Sequence, residues 1–300
     1  MKRIVLSQIG YISLVFTALI YGVFPIFTRM VGDNLPLYYQ AWSRALVTGL
    51  LMGAISYATN PRIPHISVHD GCWLVLRAVF GVVGFVGVFL ALTNMTVGES
   101  YMIYFALYLV FGVSAGRVLF GETLDRTRVI SLILAAAGLL VVYGVQITSF
   151  DPYLMWAGAA GIGYSGWSIL PKKLVGKYSE LELNYIDMFL FTGVVFVLSV
   201  MSGEAWVRPA ANTVWFASAA LGIIWIVTGY LIIYGFARVD AALGSVAMLT
   251  EIPFALIGAY LAFGESLAIN QIVGGVTIVC AMAYPELVQF IQKKKLKIGS

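Results

Sequence analysis

The sequence predicts an all-α integral membrane protein: ten transmembrane helices arranged as two inverted five-helix repeats. Three observations predict it. Hydrophobic residues make up 61% of the 300 positions and charged residues only 11%, against roughly a quarter charged in soluble domains. With a mean hydropathy of +0.93, the chain has too few charges to cover a soluble fold. Apolar stretches of about 20 residues, enough to cross the hydrocarbon as a helix, follow one another with short connections. Finally, F-G-E-[ST]-L occurs at Phe120-Gly121-Glu122-Thr123-Leu124 and again at Phe263-Gly264-Glu265-Ser266-Leu267, 143 positions later. That repetition points to duplication.

In chain order the expected spans are 9–31, 36–58, 71–93, 97–117, 128–147, 153–175, 183–202, 212–236, 240–263 and 268–290. The first is longer than a signal-peptide core and lacks a small-x-small cleavage site, so it reads as a retained helix. The second carries Arg44 and the third Arg77, followed by Gly81-x-x-Gly84-x-x-Gly87. The fourth places Tyr101, Tyr104 and Tyr108 on one helical face, three and four residues apart. The fifth follows the first F-G-E. The sixth holds Gly158-x-x-Gly161-x-Gly163, a spacing that lets helices approach closely. The seventh begins near Asp187, the eighth contains Trp225 and Tyr230, and the tenth opens near Gly274-Gly275.

The ninth stretch organises the rest. It starts with small residues, Ala241, Ala242, Gly244, Ser245 and Ala247, carries Glu251 and Pro253 in mid-span, and ends at the second F-G-E. Pro253 lacks a backbone donor, so a kink and a free carbonyl are expected there.

Basic residues set the expected orientation. Arg62, Arg117, Arg126, Arg128, Lys172, Lys173, Lys177, Arg238 and the tail Lys293, Lys294, Lys295 and Lys297 share one side with Lys2 and Arg3. Only Arg29 and Arg208 fall on the other. The positive-inside rule then puts both termini in the cytoplasm, in a multi-pass protein of the cytoplasmic membrane. The halves are expected at 1–150 and 151–300. A shift of 143 aligns Gly121-Glu122 with Gly264-Glu265 and Tyr21 with Tyr164. Five spans per half would insert the second half upside down, the arrangement of many secondary transporters.

On these residues the chain resembles the EamA-type exporters of the drug/metabolite transporter superfamily. The resemblance rests on Gly121-Glu122 and Gly264-Glu265, each followed by a helix, on Ala241-Ala242-x-Gly244-Ser245, and on the Glu/Pro pair before the second Gly-Glu. It spans essentially the whole chain as two EamA-like repeats. The family's adjacent Glu-Pro is here Glu251-Ile252-Pro253, and the first repeat has Tyr108-Leu109-Val110 instead. Gly98-Glu99-Ser100 puts an acid where a small neutral residue is usual. The resemblance implies a proton- or gradient-linked carrier of small metabolites, often amino acids.

The residues themselves nominate a site. A mid-span carboxylate such as Glu251 costs about 2–4 kcal/mol to insert, so it should face the bundle interior, to bind an amine or exchange a proton; a structural bond to a neighbouring helix is the bland alternative. Tyr101, Tyr104 and Tyr108, with Tyr164, Trp167, Trp225 and Ser245, would line a cavity that stacks a planar group or holds a cation, or would simply pack. Arg44 suits a substrate carboxylate, or an acidic partner for which Glu99 is the candidate. Glu251, Pro253 and Glu99 are the coupling and gating candidates. Arg77 reads as a snorkelling side chain and Asp187 as a helix-dipole carboxylate.

Other chemistries find little support. His65 and His69 have metal-ligand spacing only if helical, and no metal or cofactor is expected. Cys72 and Cys280 read as buried free thiols. The net charge of +4 sits in short loops, so nucleic acid is not an expected partner. The expected function is therefore outward movement of a small metabolite, most simply an amino acid or aromatic compound, by alternating access. The alternatives are import or exchange of a nucleotide-derived compound such as S-adenosylmethionine, and a channel. The expected partners are the metabolite, the lipid bilayer and protons; the assembly is a monomer or homodimer.

Overall fold

A computed structural model describes residues 2–95, 97–144 and 151–298. The described residues form eleven α-helices: α1 (Lys2–Val31), α2 (Leu37–Thr59), α3 (Val68–Asn94), α4 (Val97–Phe120), α5 (Arg126–Tyr143), α6 (Tyr153–Ile169), α7 (Glu180–Met201), α8 (Thr213–Phe236), α9 (Ala241–Met248), α10 (Glu251–Phe263) and α11 (Ile269–Ile298). Eight stretches are long and apolar enough to cross a membrane, with α9 and α10 together making one of them. The other two helices fall outside that set. α6 has 17 residues, and α2 carries Gln40, Ser43 and Arg44. The expected end of the fifth span at 145–147, the boundary at 150 and the side chains of Lys2, Arg3 and the tail lysines lie outside what is described.

Capping explains where several helices start. Ser67 accepts from Asp70 N to begin α3, Asp125 accepts from Arg128 N to begin α5, and Asn212 accepts from Trp215 N to begin α8. Ser179 and Glu182 cap α7 reciprocally. The repeated F-G-E is also a stop signal. Gly121 and Gly264 take φ of +65° and +68°, a conformation that costs glycine nothing and other residues about 1 kcal/mol or more. Glu122 N donates back to Gly116 O at 3.0 Å, and Gly264 N to Tyr260 O at 3.0 Å.

The expected ninth span is not continuous. It breaks at Leu249–Thr250, ahead of the proline rather than at it. Pro253 falls in the first turn of α10, where its missing N–H would have no intrahelical role. The carbonyl of Leu249, which Pro253 cannot serve, accepts from Ile252 N at 3.0 Å.

The strongest packings join one half of the chain to the other. α3 packs on α6, α1 on α8, α2 on α7 and α5 on α11; α4 packs on α6 and α10 on α1. Each contact has an exchanged counterpart when the halves trade places, and α2–α7 and α5–α11 are their own. Glycine permits the closest crossings. A methyl on Gly163 would stand 2.4 Å from Gly84 N, and one on Gly161 2.1 Å from Tyr104 O.

Candidate binding site

Where these helices converge, the bundle encloses two adjoining cavities. The larger, of about 50 Å³, is lined by Tyr21, Gly81, Phe85, Tyr164, Trp167, Met188, Phe191 and Trp225. The smaller, of about 20 Å³, is lined by Tyr21, Tyr104, Phe105, Tyr108, Tyr164, Trp167, Ser168, Ile232, Met248 and Glu251. Tyr21, Tyr164 and Trp167 border both. The walls are mainly aromatic, and Glu251 is the one acidic residue among these lining side chains. It is half-buried and makes no hydrogen bond among the described residues. The break before it places the carboxylate in the first turn of α10, where the helix dipole favours negative charge.

Trp167 is held rigidly. Its indole Nε1 donates to Asp187 Oδ2 at 2.6 Å. Arg77 donates from Nε to Trp167 O at 3.2 Å and from Nη1 to Leu183 O at 2.8 Å. The guanidinium lies 5.0 Å from the Trp167 ring centre, and its Nη2 is 3.6 Å from Asp187 Oδ2. Arg77 and Asp187 are only 1% and 0% exposed. This overturns two expectations: Arg77 does not snorkel, and Asp187 is not a surface dipole carboxylate. Both charges are desolvated behind the cavity wall, which a buried pair tolerates only with added hydrogen bonds. Gly81 makes room, since a methyl there would stand 2.8 Å from Trp167 Cδ1.

Tyr104, Tyr108, Tyr164, Trp167, Trp225 and Glu251 thus come together, as Tyr101 does through its 6.1 Å ring contact with Tyr104. Arg44 stands behind this wall. Its Nη2 donates to Gln40 Oε1 at 3.0 Å, and its guanidinium lies 5.1 Å from the Trp225 ring centre. Ser245 is fully buried but points at Gly112 of α4. Pro253 packs toward α11, where a methyl on Gly275 would stand 3.2 Å from Pro253 Cβ. Glu99 stands in the first turn of α4, more than a turn before Tyr104. Tyr230 is exposed and stacks on Tyr234. Cys72 and Cys280 are exposed, not buried, because small thiols are tolerated on an apolar outer face. Tyr21, Phe85 and Phe191 were not expected in the walls; for Tyr21 the signal was its alignment with Tyr164.

The end of the bundle that carries the arginines and lysines is clasped by ions. Lys172 Nζ meets Glu122 Oε1 at 2.5 Å, while Glu122 Oε2 accepts from Ala241 N at 2.8 Å and so caps α9. Lys172 also donates to Val239 O at 2.9 Å. Arg128 pairs with Asp240 at 2.5 Å, Arg238 with Glu180 at 3.3 Å, Arg62 with Glu182 at 3.1 Å and Lys177 with Asp70 at 2.8 Å. The hydrogen bond it donates to Asp70 holds the Lys177 ammonium above its ordinary range. At the opposite end Arg29 meets Glu265 at 2.5 Å, both more than 45% exposed. There Glu204 accepts from Tyr38 N and Tyr39 N, and Trp206 packs on Tyr39 and Trp42.

Comparison with known proteins places this architecture. The EamA-like transporter family matches the chain twice, over residues 8–144 and 152–284. A crystal structure of another protein shares the fold with a TM-score of 0.77 at 18% identity, over 94% of this chain and 98% of its own. No curated protein matches at a comparable level of significance.

Proposed function

The chain belongs to the EamA-like transporter family, and on that premise we propose that it is a secondary carrier exporting small amines with an apolar or aromatic body, amino acids first among them. The family makes it a multi-pass membrane transporter of small molecules. The observation that carries the narrower reading is Glu251, a carboxylate without a hydrogen-bond partner among the described residues, set in mainly aromatic walls. A carboxylate attracts an ammonium, and tyrosine and tryptophan faces add attraction for a cation or a planar ring. We read α9 and α10 as one broken span, α2 and α6 as full members of a ten-span bundle, and the two family matches as inverted repeats. The exchanged helix contacts support that reading, as does a break in a span beside the cavity.

The basic end faces the cytoplasm in this reading, and its clasp closes the cavities on that side. Transport then requires Lys172 and Glu122 to part, so that the halves rock about the cavities. Free volumes of about 50 and 20 Å³ suit a closed carrier, since a bound amino acid needs the walls to move apart. The same aromatic walls and single carboxylate also favour a sulfonium cation such as S-adenosylmethionine.

Ligand-dependent thermal stability of the purified protein decides among these. A ligand at about 100 times its dissociation constant adds roughly 2.7 kcal/mol. Stabilisation by amino acids, followed by saturable counterflow in liposomes, is expected. Stabilisation only by S-adenosylmethionine would move the substrate, and linear, unsaturable flux would replace the carrier by a channel.

A further inference from the structure

Four buried hydroxyls on or beside α4 have no hydrogen-bond partner among the described residues: that of Ser100 in its first turn, and three that share one seam further along, those of Tyr108, Ser165 and Ser245. Tyr108 is 3% exposed, and Ser165 and Ser245 are 0% exposed. An unpaired buried hydroxyl costs about 1–3 kcal/mol, so three on one seam call for a guest that pairs them.

The three are in sequence along the seam between α4, α6 and α9. Tyr108 lines the smaller cavity with Glu251. One turn further along α4, a methyl on Gly112 would stand 2.1 Å from Ser245 Oγ and 3.4 Å from Ser165 Oγ. Another turn on, a methyl on Gly116 would stand 2.6 Å from Glu122 Oε2, in the clasp at the basic end. Tyr108, Gly112 and Gly116 recur every four residues and share one face of α4. Oxygen atoms therefore mark the whole way from the cavity to the basic end.

The exchanged seam lacks them at the corresponding positions, although Ser100 stands elsewhere on it. A shift of 143 carries Gly112 to Ala255, Ser165 to Gly22 and Ser245 to Met102. The packing is equivalent, since a methyl on Gly22 would stand 2.9 Å from Ala255 N. None of these three side chains carries a hydroxyl.

We propose that the α4–α6–α9 seam takes up water and is the proton path between Glu251 and the basic end, while the exchanged seam passes no protons. This rests on the carrier reading, with Glu251 as the group that changes protonation. Transfer is a relay. Each hydroxyl releases its proton to the next water oxygen as it accepts one from the water behind, so every hydroxyl ends neutral. The net change is one proton moved between the Glu251 carboxyl and bulk water. The ionisable side chains facing Glu251 are phenols, Tyr21 of α1, Tyr101, Tyr104 and Tyr108 of α4, Tyr143 of α5 and Tyr164 of α6. Phenols are neutral near pH 7 and leave the carboxylate as the proton acceptor.

The test is Ser165→Ala with Ser245→Ala in liposomes, with phenylalanine as probe. Removing unpaired buried hydroxyls is neutral or stabilising, so the double variant folds, and thermal melting checks this. Phenylalanine counterflow, which needs no net proton movement, is expected to stay at the wild-type rate. Proton flux driven by a phenylalanine gradient is expected to fall at least tenfold. Wild-type proton flux in the double variant overturns the path. So does a wild type that shows counterflow without proton flux, an outcome that leaves the carrier reading intact. A wild type without counterflow removes phenylalanine transport and the proposal with it. A second readout is radiolytic footprinting. Water in the seam makes Tyr108 oxidise despite its burial, and the double variant should lower that oxidation severalfold; an inert Tyr108 in the wild type also overturns the proposal.

Discussion

Tyr108 and Glu251 stand 143 positions apart in the chain and line the same cavity. Tyr21 and Tyr164 have the same separation and border both cavities. Residues 143 positions apart therefore meet around the cavities. One pair consists of two phenols, the other of a phenol and a carboxylate. The asymmetry of the cavity resides in that second pair.

Glu251→Gln tests it. The amide keeps the shape and removes the charge. Amine ligands should lose tenfold or more in affinity, measured by their stabilisation of the protein, while its melting temperature without ligand should not fall. Unchanged amine affinity would remove Glu251 from the site.

The wall behind Trp167 should respond differently. Asp187→Ala leaves Arg77 buried without its counter-charge, at a cost of about 3–5 kcal/mol. Trp167→Phe removes the indole donor together with part of the ring and leaves Asp187 short of one bond, the lost bond alone costing about 1–3 kcal/mol. Chemical denaturation in detergent checks both. Near-equal effects would mean that the ion pair contributes little beyond the indole bond.

Lys172→Met removes the ion pair to Glu122 and the bond to Val239 O, leaving Glu122 to hold the start of α9 through Ala241 N alone. Labelling of Ser168→Cys from the basic end, in a background lacking Cys72 and Cys280, should speed up severalfold. The Lys177–Asp70 pair gives no pH dependence near neutrality. Its raised ammonium stabilises fully below the ordinary lysine range, and the contribution is lost only as pH rises through the raised value. Closure that titrates near neutrality in Lys177→Met as in the wild type would assign the titration elsewhere.

Gly163→Ala brings a methyl within 2.4 Å of Gly84 N. Overpacking of this kind costs about 1–3 kcal/mol. Gly193 has no atom within 4 Å of the corresponding methyl, and alanine is the better helix former by about 1 kcal/mol. Thermal melting should therefore fall for the first and hold or rise for the second.

The helical membrane character, the approximate helix limits and the repeated Gly-Glu stops are legible in the amino-acid order alone. Each follows from local chemistry: apolar runs long enough for hydrocarbon, and a glycine where φ must be positive. That order also nominated Glu251, Tyr104, Tyr108, Tyr164, Trp167 and Trp225, because polar or amphipathic groups in mid-span avoid lipid. Helix packing was needed to show that α9 and α10 separate before Pro253, that Arg77 and Asp187 are buried together, and that Glu122 reaches across to Lys172 and Ala241. Pairing across helices depends on which faces meet, and residues up to 119 positions apart leave no local signal of meeting. The sequence can state that a charge in hydrocarbon needs a partner; the packing of the helices chooses which.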